Sequence, residues 1–210
     1  FRTVPELVFI ILVSIIAMAS KYILAINKKH IFNPAAIAVF ITSIFSLGYA
    51  SWWIGKQWTL SAVLIGGLLI IRKIQRFNMI ISFLSTFLLA ILAFSFFNKS
   101  DLLQTIYGIT LDSPILFFSF VMLVEPLTTP TTKNLQIIYG VVLGILFYPQ
   151  IHIGSYYLTP EAALLIGNIF SYIVSPKYKF MLSLKEKVKI APDIYEFIFG
   201  LKNEVAIITS

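Results

Sequence analysis

The 210-residue chain contains no cysteine and only two histidines, His30 and His152. The absence of thiols excludes disulfides, thiolate-ligated iron–sulfur clusters and c-type haem attachment within these residues. Two histidines are too few for a histidine-rich metal site, and no metal is expected. Charge is almost as scarce. Only 12% of residues are Asp, Glu, Lys or Arg, about half of the roughly 25% usual in a soluble domain. Hydrophobic residues make up 59%, and the mean hydropathy is +0.91. That balance points to a protein whose partner is the lipid bilayer. The net charge of +7 does not indicate nucleic acid, because the cations fall in short clusters between apolar runs, the arrangement that orients membrane helices.

The first apolar run, Val8 to Ala19, has neither a basic leader nor a small-residue cleavage site, so it does not read as a signal peptide. Beginning at Phe1 rather than Met, the sequence reads as part of a longer protein, truncated at both ends. Apolar runs at about 5–26, 34–50, 59–71, 77–97, 114–124, 135–149 and 161–176 predict an all-α polytopic membrane protein of about seven transmembrane or broken helices, followed by a short C-terminal β segment. A core of about 30 Å needs about 20 helical residues. The runs 59–71, 114–124 and 135–149 are short against that length, as discontinuous helices are.

Nine cations (Lys21, Lys28, Lys29, Arg72, Lys73, Arg76, Lys133, Lys177 and Lys179) fall on one side of this arrangement and three (Arg2, Lys56 and Lys99) on the other. The positive-inside rule makes the first side cytoplasmic. The C-terminus is then cytoplasmic, in a multi-pass protein of the bacterial inner membrane. His30 and His152 fall on opposite sides, which disfavours a bis-histidine haem. Trp52, Trp53, Trp58, Tyr156 and Tyr157 fall outside, where an interfacial aromatic belt is expected.

The stretch "EPLTTPTT", Glu125 to Thr132, places two prolines, four threonines and a carboxylate among apolar runs. Backbone freed from helical bonding at membrane depth survives only inside protein or against a polar cavity. Pro126 and Pro130 prevent a continuous helix, and a helix starting near Lys133 would point its positive end at the break. Two readings stand: a site for a polar or anionic group, with Thr128, Thr129, Thr131 and Thr132 as hydrogen-bonding candidates, or a tight cytoplasmic turn. Glu125 is a candidate proton or cation site, or a structural carboxylate capping nearby amides. "KKHIFNPAA" supports the first reading, since Asn33 reads as an N-cap and Pro34 as the first helical residue of a second proline-started helix. In "GGLLIIRKIQRF", the glycines read as close packing. Arg72, Lys73 and Arg76 read as topology anchors, with phosphate contact as the alternative.

"KKHIFNPAA", "ASWWIG", "GGLLIIRKIQRF" and "MLVEPLTTPTTKNLQIIYG" together resemble the large membrane subunits of the sodium-pumping NADH:quinone oxidoreductase and the Rnf electron-transport complex, the NqrB/RnfD family. The resemblance covers about residues 1–176, with Glu125-Pro126-Leu127-Thr128 where many relatives read Asp-Pro-Val-(Ser/Thr). It implies a flavoprotein subunit, with Asn33 and the four threonines as cofactor-binding candidates. Partners would be other electron-transport subunits and a quinone. The outer loop 97–114, "FNKSDLLQTIYGITLDSP", lacks the Ser-Gly-Ala-Thr motif of relatives with covalent FMN. Thr105 and Thr110 lack its context, so riboflavin or FMN is expected to bind non-covalently.

After Pro176 the apolar–polar alternation of "KFMLSLKEKVKIAPDIYEFIF" predicts paired strands around an "APD" turn. This segment, 177–210, resembles the start of the flavin-binding barrel of ferredoxin–NADP reductase-like domains, which implies FAD in its missing part. The resulting expectation is a flavin-dependent membrane oxidoreductase whose reductase domain is incomplete in this chain. It would pass electrons from a cytoplasmic NAD(P)H-oxidising flavin domain through membrane-bound flavin to a quinone or other acceptor, with or without coupled ion translocation. The alternatives are a non-redox transporter or channel built on broken helices, and an inert anchor for the soluble domain.

Overall fold

The computed structural model describes residues 4–26, 29–45, 48, 54, 57–99, 101–112, 114–154, 156–175, 178–179, 182–201 and 206–207. The chain divides into two compact units, Phe1–Ser175 and Pro176–Ser210.

The first unit is helical. Its elements are α1 (Val4–Ile23), α2 (Pro34–Ile44), α3 (Leu60–Ile74), α4 (Phe77–Asn98), α5 (Leu102–Asp112), α6 (Ile115–Phe117), α7 (Lys133–Leu146) and α8 (Pro160–Val174). A π turn, Phe118–Met122, continues α6. Among the described residues, only α1 over Glu6–Ile23 and α4 over Phe77–Asn98 are long and apolar enough to cross a bilayer unaided. Of the about seven transmembrane or broken helices expected, two are thus clear candidates for spans, and the remainder are shorter pieces. The apolar helices α2, α7 and α8 have 11, 14 and 15 residues, so they cover about 16, 21 and 22 Å of a core of about 30 Å.

The shortening has local causes. Pro34 and Pro160 open α2 and α8 behind the N-caps Asn33 and Thr159, whose side chains accept from backbone amides. α7 stops at Leu146, just ahead of Tyr148-Pro149, where a proline forces the preceding residue out of helical geometry. Gln75, left-handed at φ 57°, separates α3 from α4. Hydroxyls inside the apolar helices bond back to their own backbone, as Ser14 does to the Ile10 carbonyl and Thr42 to those of Ala38 and Val39. That leaves no bare polar group toward lipid at these positions.

A second correction concerns loop 97–114, which contains the helix α5. Asp101 Oδ1 accepts from the amides of Leu103 and Gln104 and so caps it. The Thr105 hydroxyl donates back to the Asp101 carbonyl, and the side chain of Thr110 lies outside the described residues.

The core lies where α4 and α7 meet. Phe83, Phe87, Phe118 and Phe147 interlock, with the Phe118 and Phe147 rings 4.4 Å apart and Phe87 edge-on to Phe147 at 5.5 Å. Close backbone approach makes this contact possible. A methyl at Gly140 would meet Ser82 Oγ and the Met79 carbonyl, and one at Gly144 would fall 2.7 Å from the Phe83 carbonyl. Gly67 of α3 gives the same room to Phe120 of the π turn, at 2.5 Å. The packing role read for the "GG" pair therefore belongs to Gly67, since Gly66 faces open space.

Two short antiparallel ladders link helices: β1 (Ala25–Ile26) with β2 (Lys29–His30) between α1 and α2, and β3 (His152–Ile153) with β4 (Tyr156–Tyr157) between α7 and α8. The helices' outer faces are lined by exposed Leu, Ile, Val and Phe, such as Ile15, Leu69, Leu89 and Ile145, as lipid-facing surfaces are.

The second unit is built on the hairpin of β6 (Leu182–Ala191) and β7 (Ile194–Leu201), which turns at Pro192-Asp193 within the "APD" signal. Its register runs from Leu182 opposite Leu201 to Ala191 opposite Ile194, with irregularities at Leu184/Glu186 and Lys189/Ala191. Lys187 Nζ lies 4.3 Å over the Tyr195 ring. β5 (Tyr178–Lys179) pairs with β8 (Ala206–Ile207).

Candidate functional site

The break between the π turn and α7 is an ordered knot. The Thr129 hydroxyl donates to the Glu125 carbonyl at 2.8 Å, and the Thr128 hydroxyl to Glu125 Oε2 at 3.2 Å. The Pro130 carbonyl accepts from Gln136 Nε2 at 3.2 Å and from Arg76 Nη1. Gln136 Nε2 also reaches the Thr131 carbonyl at 3.2 Å. The side chains of Gln136 on α7 and of Arg76, just ahead of α4, thus satisfy carbonyls that the non-helical break leaves without helical partners.

The four threonines divide in pairs. Thr128 and Thr129 are buried, at 2% and 1% exposure, and both hydroxyls are occupied within the break. Thr131 and Thr132 are exposed, and Thr132, the N-cap of α7, makes no side-chain capping bond. The outward hydroxyls therefore stand beside α7's first amides, which no side chain caps.

Glu125 has a partner on each oxygen: Thr128 on Oε2, and on Oε1 the Nε2 of His30, 3.1 Å away across 95 residues of sequence. Three residues after His30, Asn33 caps α2, its Oδ1 accepting from the amides of Ala35 and Ala36 at 3.1 Å. The Asn33 backbone N–H donates to Asn168 Oδ1 at 2.8 Å, while Asn168 Nδ2 reaches the Thr128 carbonyl and the Tyr139 hydroxyl, both at 3.3 Å. A closed circuit results, running from His30 through Asn33, Asn168, Thr128 and Glu125 back to His30. It ties the start of α2, the break, α7 and α8 into one polar junction. The two proline-marked positions singled out in the sequence meet here through Asn168, a fully buried side chain on α8.

Asn33, Thr128, Thr129 and Glu125 therefore converge, whereas Thr131 and Thr132 face outward. Sequence reasoning passed over Gln136, Tyr139 and Asn168, weighed His30 only as a metal or haem ligand, and read Arg76 as an anchor or a phosphate contact. Asn168 carried a signal nonetheless: it is a lone amide in the apolar run "LLIGNIF", where a polar side chain needs a partner on a neighbouring helix. Arg76 was grouped with Arg72 and Lys73, which are exposed, while Arg76 turns inward and is buried. Burial lowers its pKa, but a guanidinium starts so high that it stays charged.

The donor set offers two surfaces. The inner junction is saturated by its own bonds and suits a structural or protonic role. The outer rim, Thr131 and Thr132 with the α7 amides, presents free hydroxyls and N–H groups suited to a polar or anionic group such as a flavin side chain.

No curated protein matches the chain. The family model described as the NQR2, RnfD, RnfE family matches residues 9–178, nearly the whole helical unit with the junction inside it. The chain belongs to the NQR2, RnfD, RnfE family, and is thus an integral membrane subunit of the kind found in redox-linked Nqr and Rnf complexes.

Proposed function

We propose that this subunit passes electrons from a cytoplasmic NAD(P)H-oxidising flavin domain through flavin held in its helical unit to a quinone or other acceptor. Coupling to ion movement would act at Glu125. The observation that carries this reading is the junction itself: family membership supplies the redox setting, and the broken helix supplies an ordered polar site among short apolar helices. Bound riboflavin or FMN would supply one- and two-electron chemistry. Thr131 and Thr132 would bond its polar side chain, while Asn33, Thr128 and Thr129 fix the break behind them. The strands after Pro176 fit the opening of a ferredoxin–NADP reductase-like barrel that would bind FAD.

Thr131→Val with Thr132→Val removes both outward hydroxyls and keeps their shape. Each lost hydrogen bond weakens binding by about 1–3 kcal/mol, roughly 5- to 150-fold in affinity. The expected result is a fall in flavin released on denaturation per mole of protein, at unchanged monodisperse yield, with Ser14→Ala in α1 as control. Undiminished flavin from the double variant would reduce the rim to a turn.

The proposed orientation places the C-terminus in the cytoplasm of a bacterial inner membrane. Single cysteines at 152 and 179 should be labelled from outside and only after permeabilisation, respectively. Labelling of position 179 in intact cells would invert the topology.

A further inference from the structure

We propose that His30 and Glu125 form one proton-binding site, holding an exchangeable proton between Nε2 and Oε1; this rests on reading Glu125 as the residue at which ion movement is coupled.

The two groups lie 3.1 Å apart, His30 13% and Glu125 24% exposed. They are shielded enough to interact strongly, yet open enough to exchange a proton with water or a ligand. The choice of partner matters. Arg76, the permanent cation of the junction, donates to the Pro130 carbonyl, which leaves Glu125 paired with imidazole. A guanidinium would have made a charge pair of fixed protonation. Imidazole makes a pair that can gain or lose a proton.

The pair is also held from both sides. Thr128 holds the carboxylate through Oε2, and the β1–β2 ladder holds the His30 backbone opposite Ala25, each independently of the His30–Glu125 bond. Gain or loss of the shared proton therefore need not release either group. Among the described residues, the other charged or titratable groups around the pair are Lys29, exposed on the same strand, the Tyr139 phenol of α7, bonded to Asn168, and Arg76, bonded to the Pro130 carbonyl. Asn168, facing from α8, is neutral.

A chain with two histidines gives a direct readout. The full chain, labelled with ¹⁵N-histidine in lipid nanodiscs, is titrated by NMR, with His152→Asn assigning the second signal. In Glu125→Gln the His30 titration should move to lower pH, since loss of the carboxylate disfavours the imidazolium, while His152 stays in place. Linkage requires the reciprocal effect: the carboxyl protonation signal of Glu125, read by pH-difference infrared spectroscopy, should move in His30→Gln. A His30 titration indifferent to Glu125→Gln overturns the proposal, as does an imidazole that keeps its proton throughout, which would mark a fixed ion pair. If Glu125→Gln fails to fold, the His30→Gln arm decides alone. Flavin retention in the Thr131/Thr132 experiment reports separately on the redox reading, so the two can fail independently.

Discussion

Gly140→Leu should yield no folded, monodisperse protein after detergent extraction. A Cβ at this position runs into Ser82 Oγ and the Met79 carbonyl, with the Phe83 amide 3.0 Å away. Two of those neighbours are backbone of α4 and cannot swing aside, so the helices must separate along their shared face. Overfilling a packed core costs about 1–3 kcal/mol even where side chains can adjust, and here separation also uncouples Phe147 from Phe83 and Phe87. Gly144→Leu should fail similarly, because its Cβ would lie 2.7 Å from the Phe83 carbonyl. Gly66→Leu is the matched control: nothing lies within 4 Å of its Cβ, so extraction yield should equal wild type. Equal yields for Gly140→Leu and Gly66→Leu would show that α4 and α7 do not meet as described.

The second large effect is expected at Asn168. Leucine there removes the acceptor of the Asn33 N–H and a donor to the Thr128 carbonyl, leaving two buried backbone groups without those partners. Each such group costs about 1–3 kcal/mol, for a total of about 2–6. Set against a total stability of about 5–15 kcal/mol, this should lower the thermal aggregation temperature markedly. A leucine variant as heat-stable as wild type would show that the circuit contributes nothing measurable.

Local signals were the legible part of this fold. Asn33-Pro34 announced the cap and first residue of α2, and the alternation around "APD" announced β6 and β7, because each feature depends on bonds within a few residues. α5 was hidden because its start rests on one Asp cap in a stretch rich in polar residues. The break was visible as composition, but composition does not say which threonines turn inward. That depends on Gln136 of α7 and Arg76, just ahead of α4, both reaching Pro130. His30 and Glu125 stand 95 residues apart, and Asn33 and Asn168 stand 135 apart. No local rule links such residues, and the polar junction became readable only once α2, α7 and α8 were placed together.

The unequal lengths of α4 and α7 bear on the membrane itself. At 22 and 14 residues the two packed helices measure about 33 and 21 Å, a difference of about 12 Å. A bilayer matched to α4 overhangs α7, so lipid beside the broken helix must thin, or the gap must be filled by headgroups and water. The two helices start level, since Arg76 reaches the Pro130 carbonyl and Gly140 and Gly144 pack successively on Met79–Phe87, so the shortfall lies at the Leu146 end of α7, where Tyr148 stacks on Phe94, and not at the Glu125 end. Bilayer thickness therefore bears on the Tyr148-Pro149 end of the broken helix, while the junction stays level with the start of the long one.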